Sequence, residues 1–170
     1  SSTMSFNNLN GAFIDWYFKY NPVESTRYNV NKYDEKYKLY SKLEINEYSA
    51  DISRFLIELS QIDGTKLPPN LRIDYNMLYF HLEKMKYISD EIKPWEWDPL
   101  WILGQLFDGI YILTERNDID MDARVDFIQS RLSKIPKILD NSKELLNSHS
   151  ELHSQIIIKK INIFLNILQQ

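Results

Sequence analysis

The fold is decided by residues 41–92, which read SKLEINEYSADISRFLIELSQIDGTKLPPNLRIDYNMLYFHLEKMKYISDEI. Ser41 and Glu44 form a capping box, in which a hydroxyl and a carboxylate satisfy free backbone N–H groups at a helix start. One helix is therefore predicted from Ser41 to about Gln61 and a second from Pro69 to about Ile92, with turn residues between them. The short link makes the two helices antiparallel neighbours. Plotted at about 100° per residue, their inward faces are predicted to carry Tyr48, Ile52, Phe55, Leu56, Leu59 and Ile62 in the first and Leu71, Tyr75, Leu78, Tyr79, Leu82 and Met85 in the second.

Upstream of this pair the elements are shorter. Aromatic residues at helical spacing predict a helix over about Asn8–Tyr20. A second start follows, with Asn21 as the expected cap and Pro22 at the first helical position. The Tyr-rich segment Tyr28–Tyr40 has no clear period and is predicted to be an ordered loop or short turns.

Downstream of the pair, Asp98 is the expected cap of an apolar helix over Pro99 to about Glu115. Another helix is predicted to start after Asp118 or Asp120. Pro136 lies within its apolar pattern and must either kink it or open the next helix, because proline lacks the N–H that an interior helical turn requires.

The last helix, Ser150–Gln170, is predicted to start at a second capping box formed by Ser148 and Glu151. Its apolar residues cover about 220° of its circumference, which is wider than one neighbouring helix can cover. We therefore expect another polypeptide to cover this helix. The first expectation is a second copy of the chain, which would make the protein a homodimer or other homo-oligomer.

Composition supports one helical domain over residues 1–170, an all-α antiparallel bundle of about six to seven helices. Hydrophobic residues make up 44% of the chain, and 4 Gly and 6 Pro are too few for an all-β fold with many hairpins. The net charge of −4 argues against a nucleic-acid partner. The apolar run 156–168 is interrupted by Lys and Asn and is too short to span a membrane. The N-terminus has no secretory signal pattern, which leaves the compartment open and favours the cytoplasm only slightly.

Two sequence patterns resemble metal-binding motifs, but in each the residues that the motif requires are missing or displaced. His149 and His153 are four residues apart on a predicted helix, as in zinc enzymes, but Glu151 is rotated by about 100° from the position of the catalytic glutamate. The aspartates within Asp118–Asp122 imitate the opening of a calcium loop but lack its glycine and its closing glutamate. With 0 Cys in the chain, thiolate sites are excluded. We therefore predict no catalytic residue, no metal and no cofactor; an enzyme using His149 and His153 is the weakest alternative.

An aromatic cluster is a second candidate surface, for a ligand or a partner, besides the last helix. Two prolines bracket its loop, and aromatic side chains with nearby acids are able to line a pocket or a docking surface. Ordinary core packing is the competing interpretation. The candidate residues are Trp95, Trp97, Asp98, Trp101 and Tyr111.

Several short segments match a known pattern in order and spacing. These are Tyr17-Phe18, Pro22–Thr26, Tyr33-Asp34, Leu67, Arg72–Tyr75, Trp97–Leu100 and Arg131–Leu139. Together they resemble the N-terminal part of the bacterial domain-of-unknown-function 885 family, whose members are predicted zinc metallopeptidases. The resemblance implies an all-helical fold and, in much longer relatives, a distal catalytic half with a zinc-binding His-Glu-x-x-His motif. This sequence contains no such motif, so none of the family's metal ligands is carried over.

Two functions therefore stay open. The first is a non-catalytic helical scaffold that resembles the front part of these predicted peptidases, with the helix Ser150–Gln170 covered by the C-terminal catalytic region or by a second copy. The alternative is a self-sufficient binding module for a protein, a peptide or a small ligand.

Overall fold

The computed structural model describes the backbone of residues 1–146 and 151–168, and within these ranges the chain forms helices and no β-strand. The predicted all-α fold class is thereby confirmed. None of the helices in the described ranges is both long and apolar enough to cross a membrane. The helices are α1 (Ser2–Tyr20), α2 (Pro22–Arg27), α3 (Lys42–Ser60), α4 (Pro69–Tyr87), α5 (Pro94–Trp97), α6 (Pro99–Thr114), α7 (Met121–Leu145) and α8 (Glu151–Leu168), with short 3₁₀ turns at Asn31–Tyr33 and Gly64–Lys66 and a π turn at Ile88–Ile92.

The first core lies between α1, α3 and α4. Trp16 stacks on Tyr48 with ring centroids 5.1 Å apart, and its indole N–H donates to the Asp51 carboxylate at 2.8 Å. The inward faces predicted for α3 and α4 are confirmed except at Tyr79, which is exposed because it lies about 100° around the helix from the buried Leu78. The buried members of this core are Phe6, Leu9, Phe13, Trp16, Ile52, Phe55, Leu59, Leu67, Leu78, Leu82 and Met85.

The second core lies between α5, α6, α7 and the end of the segment predicted as a loop. That segment contributes two tyrosines, whose hydroxyls are anchored on α6: Tyr37 donates to the Leu106 carbonyl and Tyr40 to the Gln105 side chain. The loop is therefore a structural layer of the core. The buried members of this core are Tyr37, Tyr40, Trp95, Ile102, Leu106, Ile110, Ile135 and Ile138.

Helix starts follow the capping rules in most places. Ser41, Asp98 and Asp120 each accept a backbone N–H two or three residues ahead, at 3.2, 3.1 and 2.7 Å. α1 begins at Ser2, earlier than the predicted Asn8, because the Ser1 hydroxyl accepts the Met4 N–H at 3.3 Å and caps an additional stretch of helix that contributes the buried Phe6.

The structure corrects one prediction about helix ends and decides between two alternatives at another position. The Asn21 side chain does not cap α2; its amide nitrogen instead donates back to the Tyr17 carbonyl at 2.8 Å and closes the end of α1. Of the two alternatives at Pro136, the start of a new helix is excluded, because α7 runs from Met121 to Leu145 through this exposed position. The second capping box falls partly on Ser148, which lies outside the described residues.

A buried arginine ties α7 to three other parts of the chain. Arg131 on α7 is fully buried, and its guanidinium donates to the carbonyls of Lys36 at 3.0 Å, Gly109 at 2.7 Å and Pro22 at 3.2 Å, and to the Thr26 hydroxyl at 2.7 Å. These partners belong to α2, α6 and the segment before α3. Burial lowers the pKa of Arg131 to about 10, so the side chain keeps its positive charge at neutral pH.

The Thr26 hydroxyl links Arg131 to a negatively charged side chain. Thr26 donates to the buried Asp34 carboxylate at 2.7 Å while accepting from Arg131. The second oxygen of Asp34 accepts from Arg116, which in turn holds Asp118 through two bonds of 2.8 and 2.7 Å. This series of hydrogen-bonded groups ends at Asp118, which is exposed to solvent. The buried charges are therefore neutralised, and no ion is left alone in the core.

Gly109 is required by the approach of the Tyr37 ring to α6. A Cβ atom at position 109 would lie 2.2 Å from a ring carbon of Tyr37, which is far inside van der Waals contact. Gly104 lies on the same helix, and a Cβ there would meet no atom within 4 Å. The two glycines therefore form a matched pair for testing the second core.

We expect Gly109→Ala to lower the free energy of unfolding by about 1–3 kcal/mol, because the added methyl overpacks the core against Tyr37. Gly104→Ala is the control and should raise it by about 0.5–1 kcal/mol, because alanine loses less backbone entropy in a helix. Urea denaturation followed by circular dichroism measures both. Equal effects of the two substitutions would contradict the assigned packing of Tyr37.

Candidate functional site

The predicted aromatic surface is not one surface. Trp95 is buried and Trp101 is half-buried, and their ring centroids lie 6.0 Å apart within the second core, with Tyr40 edge-on to Trp101 at 5.3 Å. For these two tryptophans, core packing describes the structure better than a docking surface does. Trp95 also lines a groove at the surface of the protein.

The other three predicted residues lie at separate places. Trp97 is exposed and donates its indole N–H to the Ile92 carbonyl at 2.8 Å. Asp98 is occupied as the cap of α6. Tyr111 is exposed and lies about 15 Å along α6 from Trp101, and a hydrogen bond with Glu115 raises the pKa of its hydroxyl. These three side chains therefore make no common pocket.

A strained backbone segment follows α4. The α-helix changes to a π turn over Ile88–Ile92, and Lys93 then adopts a left-handed conformation with φ 47° and ψ 59° while its N–H bonds the Ile88 carbonyl at 2.8 Å. Pro94 follows Lys93, and because the residue before a proline is disfavoured in the right-handed helical region, the helix has to stop here. A left-handed non-glycine residue costs about 1–2 kcal/mol. Such segments are frequent at functional sites.

This segment forms one wall of a groove of about 510 Å³. We call it the π-turn groove. The opposite wall is the first half of α3, and the end of α7 closes the groove. Its lining residues are Lys42, Ile45, Asn46, Ser49, Ser89, Asp90, Lys93, Trp95, Glu96, Glu144 and Leu145.

Ser89 has a buried hydroxyl without a hydrogen-bond partner. The residue is 4% exposed, it lines the π-turn groove, and its Oγ is bonded to none of the described residues. Leaving a buried hydroxyl unpaired costs about 1–3 kcal/mol. A polar group of a ligand in the groove would remove this cost.

Asp90, next to Ser89, is a fixed negative charge. One carboxylate oxygen accepts from the Ser49 hydroxyl at 2.6 Å, and the other accepts from the Lys86 ammonium at 2.7 Å. Lys86 is itself held by the Ser53 hydroxyl at 3.1 Å. The hydrogen bonds from Lys86 and Ser49 hold the pKa of Asp90 below its usual value, so the carboxylate is ionised at neutral pH.

Four further charges line the groove without an ion pair to any described residue. They are Lys42 at the start of α3, Lys93 after the π turn, Glu96 on α5 and Glu144 near the end of α7. Charges of both signs are therefore free to meet a ligand. The groove can orient a polar molecule through several groups at once.

Sequence reasoning missed this groove because its walls come from distant parts of the chain. The one local signal was the Lys93-Pro94 junction, where a helix must stop abruptly. Of the imitation metal patterns, Asp118 pairs with Arg116 and Asp120 caps α7. His149 and the side chains of Glu151 and His153 lie outside the described residues.

The fold and this groove together define the class of protein, an all-helical bundle with a polar cleft beside a strained turn. No family model matches the sequence, and no curated protein matches it either.

In structure, the chain is similar to a protein of Shewanella oneidensis described as "a putative lipoprotein of unknown function", with a TM-score of 0.77 and 20% identity. The match covers 91% of this chain and 28% of that one, so the chain spans a little over a quarter of the neighbour's length. At this identity, the likeness establishes the fold alone.

The electrostatic role of Lys86 can be tested by titration. We expect the Asp90 carboxyl to titrate below its ordinary pKa, and Lys86→Met to raise that pKa toward the ordinary value, because the charge-assisted bond is lost. The stability that Asp90 contributes is then fully present above its unfolded pKa and is lost as the pH falls through the lowered folded pKa.

Carboxyl ¹³C chemical shifts followed by NMR between pH 2 and 7 measure this change. Lys84→Met is the control, because Lys84 is exposed on the same helix and makes no ion pair with a described residue. An Asp90 titration that responds equally to both substitutions would contradict the assignment.

Proposed function

We propose that the chain is a non-catalytic helical domain whose π-turn groove binds a small polar ligand. The single observation that carries this proposal is the buried, unpartnered hydroxyl of Ser89, a residue that lines the groove beside an ionised carboxylate. The strained Lys93 backbone is a second support, since such strain persists where the surroundings over-determine it.

Binding suits these groups better than catalysis. A general base must take up a proton near the working pH, and the Asp90 carboxylate is disfavoured for that role because two donors hold its pKa low. This carboxylate is already ion-paired with Lys86 and held by Ser49, so it is a rigid part of the groove wall that can accept a further hydrogen bond from a ligand.

We also propose that the domain is related to the N-terminal region of the predicted metallopeptidases that its sequence resembles. One observation supports this. Part of the network around Arg131 comes from segments that carry the resemblance, since Pro22, Thr26 and Asp34 lie in Pro22–Thr26 and Tyr33-Asp34 and Arg131 itself lies in Arg131–Leu139. In such a protein this domain would serve as a scaffold that presents the groove.

Filling the groove tests the proposed binding. We expect small polar compounds screened by ¹H–¹⁵N correlation NMR to shift the amide signals of Ser89, Asp90 and Lys93. Asn46→Trp should abolish these shifts, because a large side chain from an exposed position of α3 occupies the groove.

The matched control is Asn76→Trp, the same substitution at an exposed position of α4 outside the groove. This variant should bind as the unsubstituted protein does. Compounds that bind only elsewhere, or binding that Asn46→Trp leaves unchanged, would overturn the proposal.

A second copy of the chain is the partner we propose for α8. This helix contacts α6 and exposes four isoleucines, Ile156, Ile158, Ile163 and Ile167. Exposed apolar side chains grouped on one short helix are typical of an interface. The homodimer expected from the sequence therefore stays a prediction.

Light scattering at micromolar concentration should give the mass of a dimer, and Ile163→Lys should give that of a monomer, because a charge in the middle of the interface is desolvated without a partner. Asn162→Lys is the control; it adds the same charge at a neighbouring exposed position of α8. A monomer in the unsubstituted protein would refute the proposed dimer and would favour cover by another region of a longer chain.

A further inference from the structure

Lys38, in the segment before α3, is a half-buried lysine whose ammonium makes no ion pair with a described residue. Within the described part of the chain, its side chain donates only to the side-chain oxygen of Asn21, and at 3.5 Å this contact is long. Lysine is mostly exposed in proteins, and burial without a partner disfavours its charged form. The surroundings of Lys38 therefore favour the neutral amine more than water does.

Two tyrosine rings pack against the same ammonium. The Nζ atom of Lys38 lies 4.0 Å from the ring centroid of Tyr48 and 5.6 Å from that of Tyr40. These rings favour the ammonium form, as cation–π contacts do, but they also keep water away from it. Burial is the larger effect, and it lowers the pKa of Lys38 to about 8 although the charge of Glu44 acts in the opposite direction.

Lys38 also lines a cavity of about 290 Å³ between α1, α2 and α6. Asn21 lines the same cavity, and the Nζ atom of Lys38 contacts the Asn21 side chain. The amine end of Lys38, and not only its aliphatic stem, therefore lies at the cavity wall. The volume is close to the lower limit for small-ligand sites. A small molecule in this cavity would lie beside the amine.

The two acids of the cavity wall are paired with another cation. Glu24 and Asp108 both line the cavity, and Arg27 forms an ion pair with each of them. One cation between two carboxylates leaves this group with a net negative charge. It would repel an anionic ligand, whereas a neutral one is not disfavoured.

We infer that Lys38 is a nucleophilic amine that captures a small neutral aldehyde in this cavity as an imine. The nitrogen lone pair attacks the carbonyl carbon, and one amine proton passes to the carbonyl oxygen to give a carbinolamine. The C–O bond then breaks, the oxygen leaves as water with the second amine proton, and a C=N bond forms. Nothing is oxidised or reduced in this step. Lysines that are desolvated in a pocket are the ones that form imines in proteins.

This site is separate from the π-turn groove, because the two cavities share no lining residue. The inference therefore goes beyond the proposed function and does not depend on it. Asn46→Trp, which fills the groove, should leave imine formation at Lys38 unchanged. Loss of imine formation in this variant would contradict the assignment of Lys38 to a separate cavity.

Reductive trapping tests the inference. The full chain is treated with propanal and cyanoborohydride at neutral pH, which converts an imine into a stable secondary amine, and peptide mass spectrometry locates the alkylated lysines. Lys36 is the internal control, because it is exposed, makes no ion pair with a described residue and also has its Nζ atom near a tyrosine ring, at 5.8 Å.

We expect Lys38 to be alkylated about tenfold faster than Lys36 or more, because a larger fraction of it is neutral amine. Lys38→Arg should remove this rapid addition of a propyl group from the intact mass, and Lys36→Arg should leave it in place. Alkylation of Lys38 at the rate of Lys36, or more slowly, would overturn the inference.

Glyoxylate, an aldehyde that carries a carboxylate, tests the charge of the ligand. The ratio of Lys38 to Lys36 alkylation should be lower for glyoxylate than for propanal, and using the ratio removes the different reactivities of the two aldehydes. Glu24→Gln should raise the glyoxylate ratio, because it removes the net negative charge around Arg27. The control Glu83→Gln, at an exposed position of α4 outside the cavity, should not change it. A ratio for glyoxylate that equals or exceeds that for propanal would show that the neutral ligand class is wrong.

Discussion

The buried charge of Arg131 is the constraint that fixes how the segments around the second core are arranged. A guanidinium in a protein interior must have nearly all of its donors satisfied, and an uncompensated buried charge costs about 3–5 kcal/mol. Arg131 meets this requirement only if α2, α6 and the segment before α3 present their carbonyls and the Thr26 hydroxyl at the same point. The helices are therefore fixed relative to one another by hydrogen-bond geometry as well as by apolar burial.

Two consequences follow for the surrounding packing. The Tyr37 ring lies 5.5 Å from the Arg131 guanidinium carbon, within the range of a cation–π contact, and the ring's position explains the glycine at 109. Asp34 bonds Thr26, and its ion pair with Arg116 extends the hydrogen-bond network toward the surface. The polar groups around Arg131 thus form one connected network, and such networks specify a unique packing when every member is satisfied.

The π-turn groove shows the opposite situation. There the backbone is strained at Lys93, the Ser89 hydroxyl is left without a partner, and charges of both signs stay unpaired around a cavity. Within one chain, the satisfied network around Arg131 has a structural role, whereas the unsatisfied groups around Ser89 are placed where a ligand can complete them. This contrast is the physical basis for proposing binding at the groove.

The helices could be predicted from the sequence, because capping and amphipathic periodicity act within a few residues. Ser41, Asp98 and Asp120 cap where their side chains predict, and the apolar faces of α3 and α4 are buried as their spacing requires, apart from Tyr79. Arg131 shares the buried face of α7 with Ile135 and Ile138, and this position was the one local sign of its burial.

Tertiary structure alone decided which polar groups are enclosed and where the groove lies. Arg131 bonds Thr26 across 105 positions of sequence, and the walls of the groove come from α3, the π turn, α5 and α7. Periodicity cannot encode such partners, because it records which face of a helix is buried and not which donor or acceptor will meet it there. The same physical reason explains why the aromatic cluster near Trp95 divided between the core and the surface.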